Sequence, residues 1–106
     1  MMYTEDQAYG ITSKSVEFLA EHLPLIGKVI TVRGRLRGNT FNQPGGEKWV
    51  VFGDAFGDKI AVSGFSWGYV GEGPRGLSKA LEQIGFDPAF SKTNLFDQHS
   101  EWELYR

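Results

Sequence analysis

The residues best suited to chemistry lie in one glycine-rich run. From Gly64 to Gly76 it holds five glycines in thirteen positions, with Trp67 and Tyr69 between them. Glycine lets backbone approach a ligand closely. A glycine-rich turn that feeds a helix also leaves N–H groups free beside the positive end of the helix dipole, which suits an anion. On this reading Gly71, Gly73 and Gly76 shape the turn, while its N–H groups and the Arg75 guanidinium hold a phosphate or carboxylate. Trp67 or Tyr69 then stacks on a base or sugar, a contact worth about 1–3 kcal/mol per base. The same residues also read as a tight strand-to-helix turn whose aromatics plug the core. The run lacks the Lys-Ser/Thr pair of a Walker A loop and does not open a parallel β-α-β unit, so the motif leaves the anion unnamed.

A second group is the row Arg33, Arg35 and Arg37, set at strand spacing so that all three share one face. Three like charges repel one another unless an acidic ligand or partner lies across them. The alternative is an exposed face paired with Glu47, Asp58, Glu101 or Glu103 on neighbouring strands. If Arg33 and Arg35 converge with Arg75 on one cavity, the two groups form a single anion site.

Catalytic chemistry is poorly served. The two histidines are His22, near the end of a helix where a cation is welcome, and His99, in the tail beside Asp97 and Glu101. Neither has metal-ligand spacing. Asp54 and Asp58 flank a short loop, as cation ligands or as turn formers, the second being the ordinary role of aspartate there. No serine nucleophile with a base can be assembled, so the reading is against an enzyme, with no metal and no cofactor expected.

The elements that must position these residues follow from periodicity. Met1 to Thr12 has no pattern and reads as an extended arm. Ser13 is a suitable N-cap for a helix to Leu23, whose Val16, Leu19, Ala20 and Leu23 form one stripe. A strand begins at Gly27 and Lys28, with Ile30, Val32, Gly34 and Leu36 inward. Gly38 to Gly46 is a turn-rich connection. Lys48–Phe52 and Lys59–Ser63 read as two further strands around a hairpin loop. Gly73 as N-cap and Pro74 as first helical residue open a helix to about Ile84, with the stripe Leu77, Ala80, Leu81 and Ile84 and with Gly85 as its left-handed terminator. Phe86, Phe90, Leu95 and Phe96 are expected to anchor the next segment. Glu101 to Arg106 alternates as a last strand with Trp102 and Leu104 inward. The expected fold is α+β in the order α-β-β-β-α-β: one domain over 1–106, with a mainly antiparallel four-stranded sheet and two helices on one face.

The run Trp67-Gly68-Tyr69-Val70-Gly71-Glu72-Gly73-Pro74-Arg75-Gly76-Leu77 resembles a W-G-Y-G-G-x-G-P-x-x-L signature of small phage and bacterial domains of unknown function. Val70 stands where that signature has glycine. The resemblance covers the chain from Val62 onward and extends to a closing strand with a tryptophan, here Trp102. It lends no activity but implies a phage or mobile-element origin. Small phage proteins often act against host defence, some by sequestering nucleotide signals.

Composition bounds the rest. The net charge of −2 argues against a general nucleic-acid binder, which carries a basic surface. With no cysteine there is no disulfide, thiolate nucleophile or Cys-ligated zinc. Met1 to Gly10 lacks the basic start and apolar run of a signal peptide, and no stretch approaches membrane-spanning length. The expected location is the cytoplasm, that of the host for a phage-encoded chain. The expected function is capture of an anionic, nucleotide-like small molecule, with dimerisation completing a shallow site. The alternatives are a module that binds and inhibits a host enzyme, and a nucleotide-cleaving enzyme using His99 or the Asp54/Asp58 pair.

Overall fold

The computed structural model describes residues 1–38, 47–68, 71–86 and 101–105. The expectations for Tyr69, Val70, Phe90, Leu95, Phe96, Asp97 and His99, and for most of the Gly38–Gly46 connection, lie outside the described residues. The architecture is α+β: two helices and a five-stranded mixed sheet. The strands are β1 (Tyr3–Glu5), β2 (Thr31–Arg37), β3 (Glu47–Gly53), β4 (Lys59–Val62) and β5 (Trp102–Tyr105). The helices are α1 (Thr12–His22) and α2 (Glu72–Gln83), and a 3-10 turn at Leu23–Leu25 follows α1.

The sheet order is β1-β4-β3-β2-β5. The three central strands pair antiparallel, as their short connections require. Val32 lies opposite Phe52, and Phe52 opposite Ile60. β5 adds antiparallel to the outer side of β2. The fifth strand corrects the four-stranded expectation. Part of the arm, Tyr3–Glu5, joins the other edge in parallel with β4, which makes the sheet mixed and the order β-α-β-β-β-α-β. Three residues are too few to show alternation. The pairing is held by backbone, through Lys59 N–H to the Met2 carbonyl at 2.8 Å and Asp6 N–H to the Ala61 carbonyl at 3.0 Å.

One sheet face carries Val32, Val50, Phe52, Ile60 and Val62. These are buried in one cluster with Leu19 of α1 and with Leu77, Ala80 and Leu81 of α2, so both helices cover that face. The stripe read for α2 is the buried one. That helix begins two residues before expected, with Gly71 as N-cap, so Gly73 and Pro74 lie inside its first turn. Proline is tolerated there because the first N–H groups of a helix have no intrahelical acceptor. The end is a Schellman motif: Gly85, at φ 92°, donates to the Glu82 carbonyl at 3.1 Å, and Phe86 donates to Leu81 at 2.8 Å.

The stripe read for α1 needs correction. Val16 is 47% exposed and Ala20 is exposed, whereas Ser15 and Leu19 are buried and Phe18 and Leu23 half-buried. Ser15 sets this rotation. Its hydroxyl donates to Asp6 and accepts the Gly64 N–H at 2.7 Å, both in the interior. Turning Ser15 outward would leave the buried Gly64 N–H unpaired, at about 1–3 kcal/mol, and would remove one bond to the Asp6 carboxylate, worth about 1.5–3 kcal/mol, against at most about 1.5–3 kcal/mol from fully burying a valine. The N-cap also lies two residues earlier than expected. Ile11 rather than Ser13 is the N-cap, and Thr12 docks its hydroxyl on the Gly64 carbonyl at 2.8 Å.

The first long strand is shorter than the reading from Gly27. Val29 is buried and Ile30 donates to the Gly53 carbonyl at 2.8 Å, but ladder pairing starts at Thr31. In the β3–β4 hairpin loop the Asp54 carboxylate accepts the N–H groups of Phe56 and Asp58, both at 2.9 Å, and that of Gly27 at 2.8 Å. Asp54 is thus a turn former that also ties the approach to β2. Burial opposes its charge, but the three backbone N–H groups outweigh this and hold its carboxyl below the ordinary aspartate value.

Candidate functional site

The arginine row occupies the sheet face away from the helices, alternating with Val32 and Gly34. Its charges are answered there. Arg33 and Arg35 both reach the Glu103 carboxylate, Arg33 at 3.5 Å. Arg37 pairs with Glu5 at 2.7 Å, donates to the Tyr3 hydroxyl and lies 4.3 Å from the Trp49 ring centroid. Hydrogen bonds from the Tyr105 hydroxyl and the Arg35 guanidinium lower the Glu103 carboxyl from its usual range. The Arg37 hydrogen bonds do the same for Glu5. Glu103 is one of the partners expected from sequence, and Glu5 comes from the arm.

Arg75 is exposed on α2, on the other side of the sheet. The three arginines therefore do not converge on one cavity. Trp67 has 0% of its surface exposed, meets Trp102 edge-on with ring centroids 5.7 Å apart, and has no free face to stack on a ligand. Gly76 lies against Thr12 and Phe65, where it lets α2 approach α1. Gly71 caps α2.

One expected site residue, Gly73, does line a cleft. This cleft, of about 650 Å³, opens where β1 and β4 end, β3 begins, and both helices start. Its geometry follows from the parallel β1–β4 pair. Two parallel strands end on the same side, and each leads here into a helix N-terminus. Ligands of open sheets with parallel strands bind at such carboxyl ends. The volume lies within the range of about 300–1,000 Å³ for small-molecule sites.

The walls are rigidly built. Asp6 is buried and accepts from the hydroxyls of Ser15 and Ser63 and from the Ser63 N–H at 3.1 Å. Ser63 in turn accepts the Gly10 N–H at 3.3 Å. These bonds lock the end of β1, the start of α1 and the end of β4 together. Lys48 lines the cleft, donates to the Trp67 carbonyl at 2.6 Å and sits 5.5 Å from that ring's centroid. Burial pushes its ammonium below the ordinary lysine value. Glu47 accepts from the Trp49 indole N–H at 3.1 Å.

Sequence reasoning missed Asp6, Ser63 and Lys48. The first lies in a segment without periodicity, and the other two read as ordinary strand-end residues. Glycine at 64 was the available signal, since a Cβ there would lie 2.4 Å from the Ile11 carbonyl oxygen and 2.5 Å from Ser15 Oγ.

The fold and cleft define a small α+β protein with a pocket at the ends of a parallel strand pair. No family model, curated protein or solved structure matches the chain. Among the described residues there is no cluster of side chains fit to hold a metal ion, and no helix is long and apolar enough to cross a membrane.

Proposed function

We propose that this chain binds a small anionic, nucleotide-like molecule in the cleft between the strand ends and the two helix starts. The observation that carries this reading is a half-buried lysine, Lys48, in a small-molecule-sized cleft that also holds the first turn of α2 at Gly73 and the hydroxyl-bearing residue Ser66. A phosphate there meets a partly desolvated cation, whose charge-assisted bonds are stronger than neutral ones. It also meets helix N–H groups that have no intrahelical acceptor. The Asp6 carboxylate is already engaged by two hydroxyls and a backbone N–H, and Glu47 by an indole. Sequestration of a host nucleotide signal by a phage-encoded protein is the biological form of this reading that the resemblance of the glycine-rich run to small phage domains implies.

Thermal unfolding against phosphate, mononucleotides, dinucleotides, cyclic dinucleotides and ADP-ribose tests it. A ligand at 100 times its Kd adds about 2.7 kcal/mol, a Tm rise of roughly 10 °C or more for a chain of this size. The rise is lost in Lys48→Ala and kept in Arg75→Ala. Loss in Arg75→Ala alone moves the anion to the exposed start of α2, and a flat panel removes the reading.

A second reading is a docking surface for a host protein on the open sheet face. It is favoured by the exposed rings of Tyr3 and Tyr105 beside half-exposed arginines, residue types that dominate binding hot spots. It requires a stable complex that Arg35→Glu disrupts and that ignores nucleotides.

A further inference from the structure

The cleft's aromatic residues differ sharply in what they can offer a ligand. Phe65 is 1% exposed and belongs to the core. Trp49 is 8% exposed, with the Arg37 guanidinium over its ring. Tyr9 is 86% exposed and also lines the cleft.

The backbone at Tyr9 is unusual as well. Its φ is 52°, and it is the one non-glycine residue with positive φ among the described residues. This region is disfavoured for side chains with a Cβ. The turn is nevertheless pinned on both sides. Ala8 is buried, Ile11 donates to the Ala8 carbonyl at 3.0 Å, and Gly10 donates to Ser63 Oγ at 3.3 Å. An exposed ring on a strained but anchored backbone adds little to the fold. Such strain gathers at ligand clamps, where the surroundings over-determine it.

We infer that Tyr9 is the stacking residue of the cleft, selecting ligands that carry a planar heterocyclic base over the bare sugar phosphate. The inference rests on the cleft being the ligand site. It assigns to Tyr9 the role that Trp67, being buried, cannot fill. Lys48 then acts on the anionic end and Tyr9 on the base, so the two substitutions have different signatures.

The test measures Kd by calorimetry for AMP, GMP, CMP and UMP, with ribose 5-phosphate as the base-free counterpart. Four proteins are compared: wild type, Tyr9→Gly, Tyr9→Phe and Lys48→Ala. Glycine is chosen because it accepts the left-handed backbone, so the variant keeps its fold. For the preferred mononucleotide, Tyr9→Gly weakens binding roughly tenfold or more, leaves ribose 5-phosphate unchanged, and is rescued by Tyr9→Phe. Lys48→Ala weakens both classes of ligand. Mononucleotide binding that is sensitive to Lys48 but unchanged in Tyr9→Gly overturns the Tyr9 inference and leaves the cleft reading standing. Equal losses in Tyr9→Gly and Tyr9→Phe replace stacking with a hydroxyl contact and overturn it too. A wild-type protein that binds neither mononucleotides nor ribose 5-phosphate overturns the cleft reading and this inference together.

Discussion

Trp102 occupies the space that a side chain at Gly34 would need. The two are register partners across β2 and β5, and a Cβ at Gly34 would lie 2.3 Å from the indole Nε1. The ring so admitted reaches the core, where it meets Trp67 edge-on. Glycine in a strand ordinarily weakens it; here the missing side chain is replaced by a tryptophan from the neighbouring strand.

This pairing makes a coupling prediction. Gly34→Ala alone destabilises by about 1–3 kcal/mol, the usual cost of overpacking, and Trp102→Ala alone by about 3–5 kcal/mol. In the Trp102→Ala background the Gly34→Ala penalty shrinks toward zero. Urea unfolding of the four proteins in a double-mutant cycle measures this, and additive penalties would refute it.

The serines of α1 separate the sequence-based capping assignment from the observed one. Ser15→Ala strands the buried Gly64 N–H and removes one of the bonds to the Asp6 carboxylate, at a cost of about 1–3 kcal/mol. Ser13→Ala stays within about 0.5 kcal/mol, as an exposed substitution does. Were Ser13 the N-cap, it would cost about 0.5–2 kcal/mol instead. Gly64→Ala is severe as well, because the added methyl meets the Ile11 backbone. Chemical denaturation ranks the three.

Asp54 contributes a pH-dependent increment of stability. Its carboxyl titrates lower in the folded protein than its ordinary value. A lowered folded value means that the unfolded chain binds the proton more tightly, so stability rises with pH through that window. The contribution is complete above the ordinary aspartate value and disappears as pH falls through the folded one. The Tm difference between wild type and Asp54→Asn is therefore largest near neutral pH and narrows on acidification. A difference that does not change with pH would show that the three backbone N–H bonds act without the charge.

Tyr9 sets stability against binding. Relief of a left-handed non-glycine residue gains about 1–2 kcal/mol, against about 0.5–1 kcal/mol for the greater chain entropy of glycine. The exposed ring loses little burial. Tyr9→Gly should melt at or slightly above the wild-type Tm while losing mononucleotide affinity. A Tm several degrees lower would show that the ring supports the fold.

Much of the fold was legible because it rests on long, regular patterns. The α2 stripe Leu77, Ala80 and Leu81, the stop at Gly85 and the alternation through Val32 and Gly34 each repeat enough to stand out, and all are observed. The arginine row was placed on one face by strand period alone. The Glu5 carboxylate that answers Arg37 was not, because it stands 32 positions away in a segment without pattern. The α1 stripe failed by one residue for a related reason. Apolar periodicity counts methyl groups and is blind to Ser15, whose inward direction depends on Asp6 and on the Gly64 N–H.

The sequence by itself determined the α+β class, the helix-covered sheet face and the glycine-rich passage from β4 to α2, since these depend on local period and turn chemistry. Tertiary structure alone decided that the arm becomes a parallel edge strand, that Trp67 is core rather than ligand wall, and that Lys48, Ser63, Gly73 and Tyr9 share one cleft. Those outcomes join residues from opposite ends of the chain, and no periodicity within a segment records which distant hydrogen-bonding groups will meet.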